Sequence, residues 1–344
     1  MGVNLRPIVT RREVQLSDLI GKSLAIDAFN TLYQFLAIIR GSDGRPLTDS
    51  KGRTTSHLSG LFYRTVNLLS LGIKPVYVFD GKPPALKKEV LRKRMESRMA
   101  AQRRYDEALR VGDLEKARVY GQASVRLNDQ MLGDSKELLR LMGVPTVQAP
   151  SEGEAQAAYM SKRGDVWASA SQDYDSILFA APRLVRNVTI SGRRKLPGKN
   201  VYIQVSPELV DLQVLLRTLG ITHEQLVDLG ILIGTDYNLG GVTGFGPKSA
   251  LKLIKKYGDA RSVLATIDPS RFSFELDDVK SFFLQPEISS DYSLTWRPID
   301  EDGIVSLLCG GYDFSEDRVK KALADLYSVL KEVVRDSTLD NWFS

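Results

Sequence analysis

Hydrophobic and polar residues alternate in the first part of the chain in a way that predicts strands separated by helices. KSLAID (22–27) is a short apolar strand that ends on an acid, and PVYVFD (75–80) is a second strand of the same kind. Between them, residues 28–40 and 55–72 carry apolar side chains at helical spacing. The polar, turn-rich residues 41–53 predict the loop that joins these two helices.

The pattern changes after the second strand. Residues 82–135 are charged and mostly helical in pattern, with few β-branched side chains, and residues 165–179 predict a strand followed by acids. The chain then has two predicted strands, LVRNVTI and KNVYIQV, on either side of a basic turn at 191–198. From Ser206 onward the pattern is helical. Strands that alternate with helices predict an α/β fold around a sheet of parallel strands.

Composition narrows the classes of protein. The chain has 344 residues, 43% of them hydrophobic, which is enough for a large core, and its net charge of +5 is by itself a weak indication of nucleic-acid binding. The single cysteine, Cys309, excludes internal disulfides, and no apolar run approaches a membrane span, so we expect an intracellular protein. Two histidines, His57 and His223, argue against a His-rich metal site, so any metal would rely on oxygen ligands, as Mg²⁺ and Mn²⁺ do.

Seven acids stand at predicted strand ends or helix starts. In a parallel α/β sheet the carboxyl ends of the strands share one edge, where ligands bind. Carboxylates crowded there repel one another unless divalent cations compensate their charge, and two such ions roughly 3.5–4 Å apart would clamp the attacking and leaving oxygens of a phosphodiester. The seven are Asp27, Asp80, Glu152, Glu154, Asp173, Asp175 and Asp236. Taken singly, Glu152 could be an acid favoured by a helix dipole and Asp236 a turn former, so the case rests on the whole set.

A cationic stretch follows the second strand. Residues 87–104 contain eight Lys or Arg against two Glu. Lys87 and Arg94 are seven residues apart and therefore share one face of a helix. Such a stripe predicts contact with successive phosphates and with a charged phosphodiester transition state. The alternative is a solvated helix face without a ligand.

A glycine-rich loop separates two predicted helices in residues 226–258. Gly244 and Gly246 allow close approach of the backbone, and exposed N–H groups at the following helix start can take a phosphate. Lys248 and Lys252 add positive charge to the same helix. We interpret this segment as a helix-hairpin-helix grip on duplex backbone without base reading; the alternative is a plain helical hairpin with a flexible turn.

Several stretches, in family order over about residues 20–260, resemble the motifs of flap endonucleases, which belong to the structure-specific 5′ nuclease superfamily. They are LAIDAFNTLYQFL, TTSHLSGLFYRT, GIKPVYVFDGKPPALK, APSEGEAQAAYM, SQDYDSILF, and GTDYN with GGVTGFGPKSALKLI. The resemblance implies an α/β PIN-like nuclease fold with a central, mostly parallel sheet, a helical arch and a helix-hairpin-helix type element. It implies a 5′-flap endonuclease, also a 5′–3′ exonuclease, that cuts DNA near the flap–duplex junction in lagging-strand replication and base-excision repair.

The resemblance also implies roles for individual residues. Lys87 and Arg94 correspond to catalytic cations of the arch, and Tyr33 to an aromatic that stacks on a base near the cut, with core packing as the alternative for Tyr33. The implied Mg²⁺ ligands, where Mn²⁺ could substitute, are Asp27, Asp80, Glu152 and Glu154 for one ion and Asp173, Asp175 and Asp236 for the second.

A further set corresponds to a pocket for a one-nucleotide 3′ flap. Its members are Arg40, Thr55 and Phe314. Tyr312 and Asp313 stand where the family pattern has a lysine and a polar amide, so the charge of this pocket stays open.

The tail STLDNWF resembles a motif that binds the sliding clamp. Leu339, Trp342 and Phe343 fit the motif, while Asp336 stands at its usual glutamine position, which predicts weaker docking. The alternative is a tail that packs on its own domain. No basic stretch follows the motif, as it does in eukaryotic members, which favours an archaeal-type protein.

These assignments divide the chain into one nuclease domain and a tail. The domain, 1–330, comprises the first part of the sheet (1–81), the arch (82–135), the second half of the sheet (136–219), the duplex-binding element (220–260) and a C-terminal helical region (261–330); the clamp-binding tail is 335–344. Two other functions stay open: a related nuclease that cuts bubbles or four-way junctions, and a non-catalytic, clamp-tethered DNA-binding protein. A D-x-D phosphatase is disfavoured, because Phe29 stands at the second acid position.

Overall fold

The structure, a computed structural model, describes residues 2–41, 45–190, 192–195 and 202–336. Strands in this part of the chain form one large sheet and one separate two-stranded ribbon. They are β1 Arg12–Glu13, β2 Ser23–Asp27, β3 Lys74–Phe79, β4 Thr146–Gln148, β5 Ala168–Ala170, β6 Arg183–Arg186, β7 Gly192–Lys195, β8 Tyr202–Val205 and β9 Glu208–Asp211.

The large sheet has the order β1-β9-β6-β5-β2-β3-β4, and the ribbon pairs β7 with β8. The strands from β6 to β4 are parallel. At the other side of the sheet, β9 pairs antiparallel with β6, and β1 pairs antiparallel with β9. The neighbouring strands β5, β2, β3 and β4 therefore all present their carboxyl ends at the same edge. This is the mixed α/β arrangement with a mostly parallel sheet that the sequence predicts.

Helices cover both faces of the sheet and extend beyond it. They are α1 Ala28–Ile38, α2 Ser56–Ser70, α3 Lys88–Arg110, α4 Leu114–Ala123, α5 Asp129–Leu141, α6 Gly153–Arg163, α7 Asp175–Leu178, α8 Leu212–Leu219, α9 His223–Ile233, α10 Pro247–Tyr257, α11 Ala260–Leu264, α12 Leu276–Leu284, α13 Glu301–Val305 and α14 Glu316–Asp336. A π-helical turn, Ser306–Gly310, follows α13, and short 3-10 turns occur at Leu16–Leu19, Ala85–Lys87, Val188–Ile190 and Pro269–Arg271. No helix in the described ranges is long and apolar enough to cross a bilayer.

The core lies on both faces of the sheet because successive strand residues point to opposite sides. In β2, Leu24 and Ile26 join the cluster formed with α1, α2, α5 and α14, while Ala25 between them joins a cluster with α6 on the other face. In β6, Leu184 and Val185 divide in the same way. Central parallel strands that are buried on both faces explain why KSLAID and PVYVFD are almost continuously apolar.

Two predictions about local structure are wrong. Residues 192–195, predicted within a basic turn, form β7, because an antiparallel partner, β8, satisfies their backbone groups despite the Arg and Lys side chains. The segment from Ser206, predicted as helical, begins with β9, a four-residue strand that pairs with β6. The strand is too short for its apolar pattern to be distinguished from that of α8, which follows it directly. A third prediction is confirmed in part: within residues 165–179 the strand is limited to Ala168–Ala170, and α7 begins at Asp175.

Candidate active site

All seven predicted acids line one cavity of about 650 Å³ at the carboxyl edge of the parallel strands. Lys87, Arg94, Arg98 and Tyr33 line the same cavity, as do residues at the end of α4. The cavity thus joins residues that are separated by up to about two hundred positions in the chain, through the shared edge of β5, β2, β3 and β4.

Two of the acids are fixed directly by the ends of the central strands. Asp27 is the last residue of β2, and its carboxylate accepts a hydrogen bond from Asn30 N (2.9 Å), so it also caps α1. Asp80 follows β3 and accepts from Gly153 N (2.7 Å) at the start of α6. A Cβ on Gly153 would lie 2.6 Å from Asp80 Oδ1, so only glycine permits this approach.

The other acids come from the starts of helices and from a loop. Glu152 is the residue before α6, Glu154 lies in its first turn, and Asp175 begins α7. The N-terminal segment reaches this point too, because Val3 N donates to Asp175 Oδ1 (2.7 Å). Asp236 follows α9 in the glycine loop and is buried.

Burial and mutual repulsion make ionisation of these acids unfavourable. The pKa of Asp27 is raised to about 8, mainly because burial removes water and then because of the charge on Asp80. Burial followed by the Asp173 charge raises the pKa of Asp175 to about 7. Burial and Glu152 raise the pKa of Asp80 to about 6, and burial and Asp175 raise that of Glu154. The cavity is therefore an anionic site that favours bound cations.

Two cations, Lys87 and Arg94, already occupy part of this anionic site. Lys87 Nζ lies 2.6 Å from Glu152 Oε2, and an Arg94 nitrogen lies 2.5 Å from Asp236 Oδ2. Burial lowers the pKa of Lys87, but the ion pair with Glu152 and the charges of Asp80 and Asp236 together outweigh it, and the net pKa is raised. Lys87 is therefore a protonated cation at neutral pH, as its predicted role requires.

The donor set fits a hard divalent cation. Every acid offers oxygen, and Glu154 Oε1 is buried without a hydrogen-bond partner in the described residues, as expected for an atom that a cation would satisfy. Within the described ranges, however, no three carboxylate, imidazole or thiolate side chains are already arranged as a ligand set for a metal ion. Two of the acids are paired with cations instead, Glu152 with Lys87 and Asp236 with Arg94.

Three residue pairs in or beside the cavity were not predicted from the sequence. Asn30 Nδ2 donates to Asp173 Oδ2 (3.2 Å), and Ser171 Oγ lies 3.4 Å from Asp27 Oδ2. Arg98 donates to the Tyr33 hydroxyl (3.0 Å), and its guanidinium lies 4.5 Å from the centre of that ring. Only Arg98 had a usable signal, because it stands one helical turn after Arg94. Tyr33 lines the cavity, so the core-packing alternative does not describe its position.

The predicted duplex-binding residues lie together at the start of α10. Gly244 and Gly246 belong to the loop between α9 and α10, and Lys248 and Lys252 are exposed on α10. The loop turns back closely on the end of α9, since a Cβ on Gly241 would lie 2.4 Å from Gly234 N. The segment is thus a helical hairpin with a tight loop, and its role on DNA stays a prediction.

The residues of the predicted 3′-flap pocket have different surroundings. Thr55 is buried before α2, Phe314 is partly buried against the core, and Arg40 donates to the carbonyl of Gly121 in α4. The Tyr312 hydroxyl donates to Asp134, and the Asp313 carboxylate accepts from Ser50 N (2.8 Å).

One cation missed in the sequence lies beside these residues. The Arg53 guanidinium lies 4.2 Å from the centre of the Tyr312 ring, and Arg53 also pairs with Asp49 (2.6 Å). It brings positive charge close to the position where the family pattern has a lysine. The clamp-binding residues Leu339, Trp342 and Phe343 lie outside the described residues.

Comparisons with known proteins agree with this arrangement. Residues 1–101 match the XPG N-terminal domain, and residues 143–236 match the XPG I-region. The "Flap endonuclease 1" of Pyrococcus abyssi is 54% identical over 343 residues, which cover 100% of this chain and 98% of the relative. The chain belongs to the flap endonuclease 1 family.

Solved structures lead to the same family. The "Flap endonuclease-1" from Methanococcus jannaschii is 41% identical and has a TM-score of 0.76, with coverage of 96% of this chain and 99% of the other. The catalytic core of Rad2 in complex with a DNA substrate is 26% identical, with a TM-score of 0.68 and coverage of 92% and 96%. The predicted archaeal-type flap endonuclease family and its PIN-like α/β fold are therefore confirmed.

Proposed function

We propose that this protein is a structure-specific endonuclease that hydrolyses a DNA phosphodiester near the junction between a 5′ flap and its duplex. The observation that carries the proposal is the convergence of the seven acids with Lys87 and Arg94 around one cavity beneath α3 and α4. A protein that only bound DNA would gain nothing from buried carboxylates that repel both one another and the phosphates. Membership of the flap endonuclease 1 family supports the choice of a 5′ flap over a bubble or a four-way junction.

The seven carboxylates would hold roughly two divalent cations, Mg²⁺ or Mn²⁺, in this cavity. When bound, such ions activate water and neutralise charge on the scissile phosphate. We assign Asp27, Asp80, Glu152 and Glu154 to one cation and Asp173, Asp175 and Asp236 to the second. Main-chain donors from Gly153 and Val3 keep Asp80 and Asp175 oriented before any cation arrives.

Lys87 and Arg94 act on the substrate from within the same cavity, beside Glu152 and Asp236. In the structure both are paired with carboxylates, which leaves them within the cavity that the scissile phosphate would enter. Glu152 and Asp236 would exchange these pairs for a bound cation, which would leave Lys87 and Arg94 available to phosphate oxygens. Fixed positive charge at that point stabilises the transition state more than the substrate, because negative charge develops there.

The remaining predicted elements position the DNA. Tyr33, held against Arg98, offers an aromatic face to a base beside the cut. The start of α10, with Gly244, Gly246, Lys248 and Lys252, grips the duplex backbone. Residues 82–135 serve as the arch over the cavity, and Arg40, Thr55 and Phe314 contribute to a pocket for the 3′ end.

A product map on a labelled double-flap DNA tests this function. With Mg²⁺ we expect incision near the junction of the 5′ flap, and with EDTA we expect none. Bubble and four-way junction substrates run beside it should be cut much more slowly. Preferred cutting of either would favour the related nuclease, and stable binding without any cut would favour the non-catalytic alternative.

The sliding clamp and the replication and repair setting form a separate part of the proposal. Leu339, Trp342 and Phe343 would dock an apolar plug into the clamp. Phe343→Ala should abolish stimulation by a clamp of the same source while basal cleavage is retained. Stimulation that persists in the variant would show that the tail does not bind the clamp.

A further inference from the structure

An exposed apolar row runs along α3 away from the catalytic cavity. Leu91, Met95 and Met99 are 38%, 58% and 39% exposed, and their i, i+4, i+8 spacing places them in a continuous row on one side of the helix. We call these three residues the α3 apolar row. Such a row is unusual on a helix as charged as α3, where solvent-facing positions are otherwise mostly polar.

The row begins inside the cavity and is bordered by cations. Leu91 lines the cavity together with Arg94 and Arg98, and Met95 and Met99 continue from it by one and two helical turns. An occupant of this surface must therefore be continuous with the substrate, carry negative charge on one side and present apolar surface on another. Single-stranded DNA has this character, because its phosphates are anionic and its unpaired base faces are free, whereas duplex DNA hides its base faces.

We propose that the α3 apolar row contacts the unpaired bases of the 5′ flap as the flap leaves the cavity, while Arg94 and Arg98 contact its phosphates. Methionine suits this role, because its flexible, polarizable thioether packs on heteroaromatic faces without demanding one sequence. Through this row, residues 82–135 would distinguish a single DNA strand that carries bases from a sugar-phosphate backbone without them. This inference rests on the proposed flap endonuclease function.

The test compares two double-flap substrates that differ only in their bases. One has an ordinary 5′ flap, and the other has the same length of abasic tetrahydrofuran residues, with the phosphates unchanged. Single-turnover cleavage is measured with the unmodified protein, with the Met95→Ser/Met99→Ser double variant, and with Ile20→Ser as a control. Ile20 is 57% exposed, nearly as much as Met95, but it precedes β2 at the opposite edge of the sheet.

We expect the double variant to cut the ordinary flap about three- to tenfold more slowly than the unmodified protein does. On the abasic flap, the two proteins should cut at nearly the same rate. The Ile20→Ser control should match the unmodified protein on both substrates, and all three proteins should melt at similar temperatures. Equal slowing of both substrates, or no slowing at all, would overturn the base contact. An unmodified protein that cuts neither flap in Mg²⁺ would instead overturn the function on which the inference rests, so the two failures are distinguishable.

Discussion

The edge of the sheet and the arch helices contribute opposite charges to one cavity, but they are stabilised in different ways. β2 buries four of its five residues, whereas α3 buries only three of its 23 and packs mainly against α4. The acids thus lie on elements of the core, whereas Arg94 belongs to a helix pair with little core of its own and Lys87 to the 3-10 turn directly before it. The comparison indicates that global folding energy maintains the repelling carboxylates, while Lys87 and Arg94 belong to a locally formed structure.

Removal of one acid from the edge of the sheet should have the largest effect on cleavage. Asp175→Asn keeps an oxygen that can accept the Val3 N–H but removes a charge from the candidate metal site. We expect cleavage of the labelled 5′ flap to fall by several orders of magnitude, while binding of the same DNA changes little. Cleavage within about tenfold of the unmodified rate would exclude Asp175 from the metal site.

Removal of an arch cation should have a smaller effect, confined to the chemical step. Lys87→Ala should slow single-turnover cleavage about a hundredfold with a modest change in DNA affinity, because its charge acts in the transition state. Lys88→Ala is the matched control, since Lys88 is its exposed neighbour and does not line the cavity. A loss of affinity without a loss of rate would make Lys87 a phosphate grip only.

Hydrogen exchange tests the difference in local stability itself. Amides of α3 and α4 should exchange at least about tenfold faster than those of β2 and β3, because few buried side chains support the two helices. Addition of a non-cleaved flap DNA should slow exchange in the arch and leave the strands unchanged. Equal protection of α3, α4, β2 and β3 in the absence of DNA would contradict the division into strands supported by the core and helices that form locally.

The smallest expected effect concerns stability without divalent cations. The folded-state pKa of Asp27 is about 8 against an ordinary 3.8, so the folded state binds its proton more tightly and stability falls as pH rises from about 4 to about 8. In EDTA, Asp27→Asn should therefore melt a few degrees higher than the unmodified protein at pH 8, with little difference at pH 4. A variant that melts lower at pH 8 would show that the Asp27 cap on α1 outweighs the repulsion.

Much of this site was predictable because parallel strands bring their carboxyl ends to one edge. Asp27 and Asp80 directly follow apolar strands, and that pattern alone predicts that they meet. The contacts that orient Asp173 and Asp175 were not predictable, since they join Asn30 to Asp173 and Val3 to Asp175 across long stretches of chain. The strands β7 and β9 were missed because their partners, not their own periodicity, determine their structure.

A titration with Mn²⁺, followed by electron paramagnetic resonance, tests the central claim most directly. The account predicts that the unmodified protein binds Mn²⁺ without DNA, that Asp80→Asn and Asp175→Asn each weaken binding, and that Lys88→Ala leaves it unchanged. Mn²⁺ binding of equal strength in all four proteins would show that the buried carboxylates do not hold the cations, and the proposed chemistry would have to be abandoned.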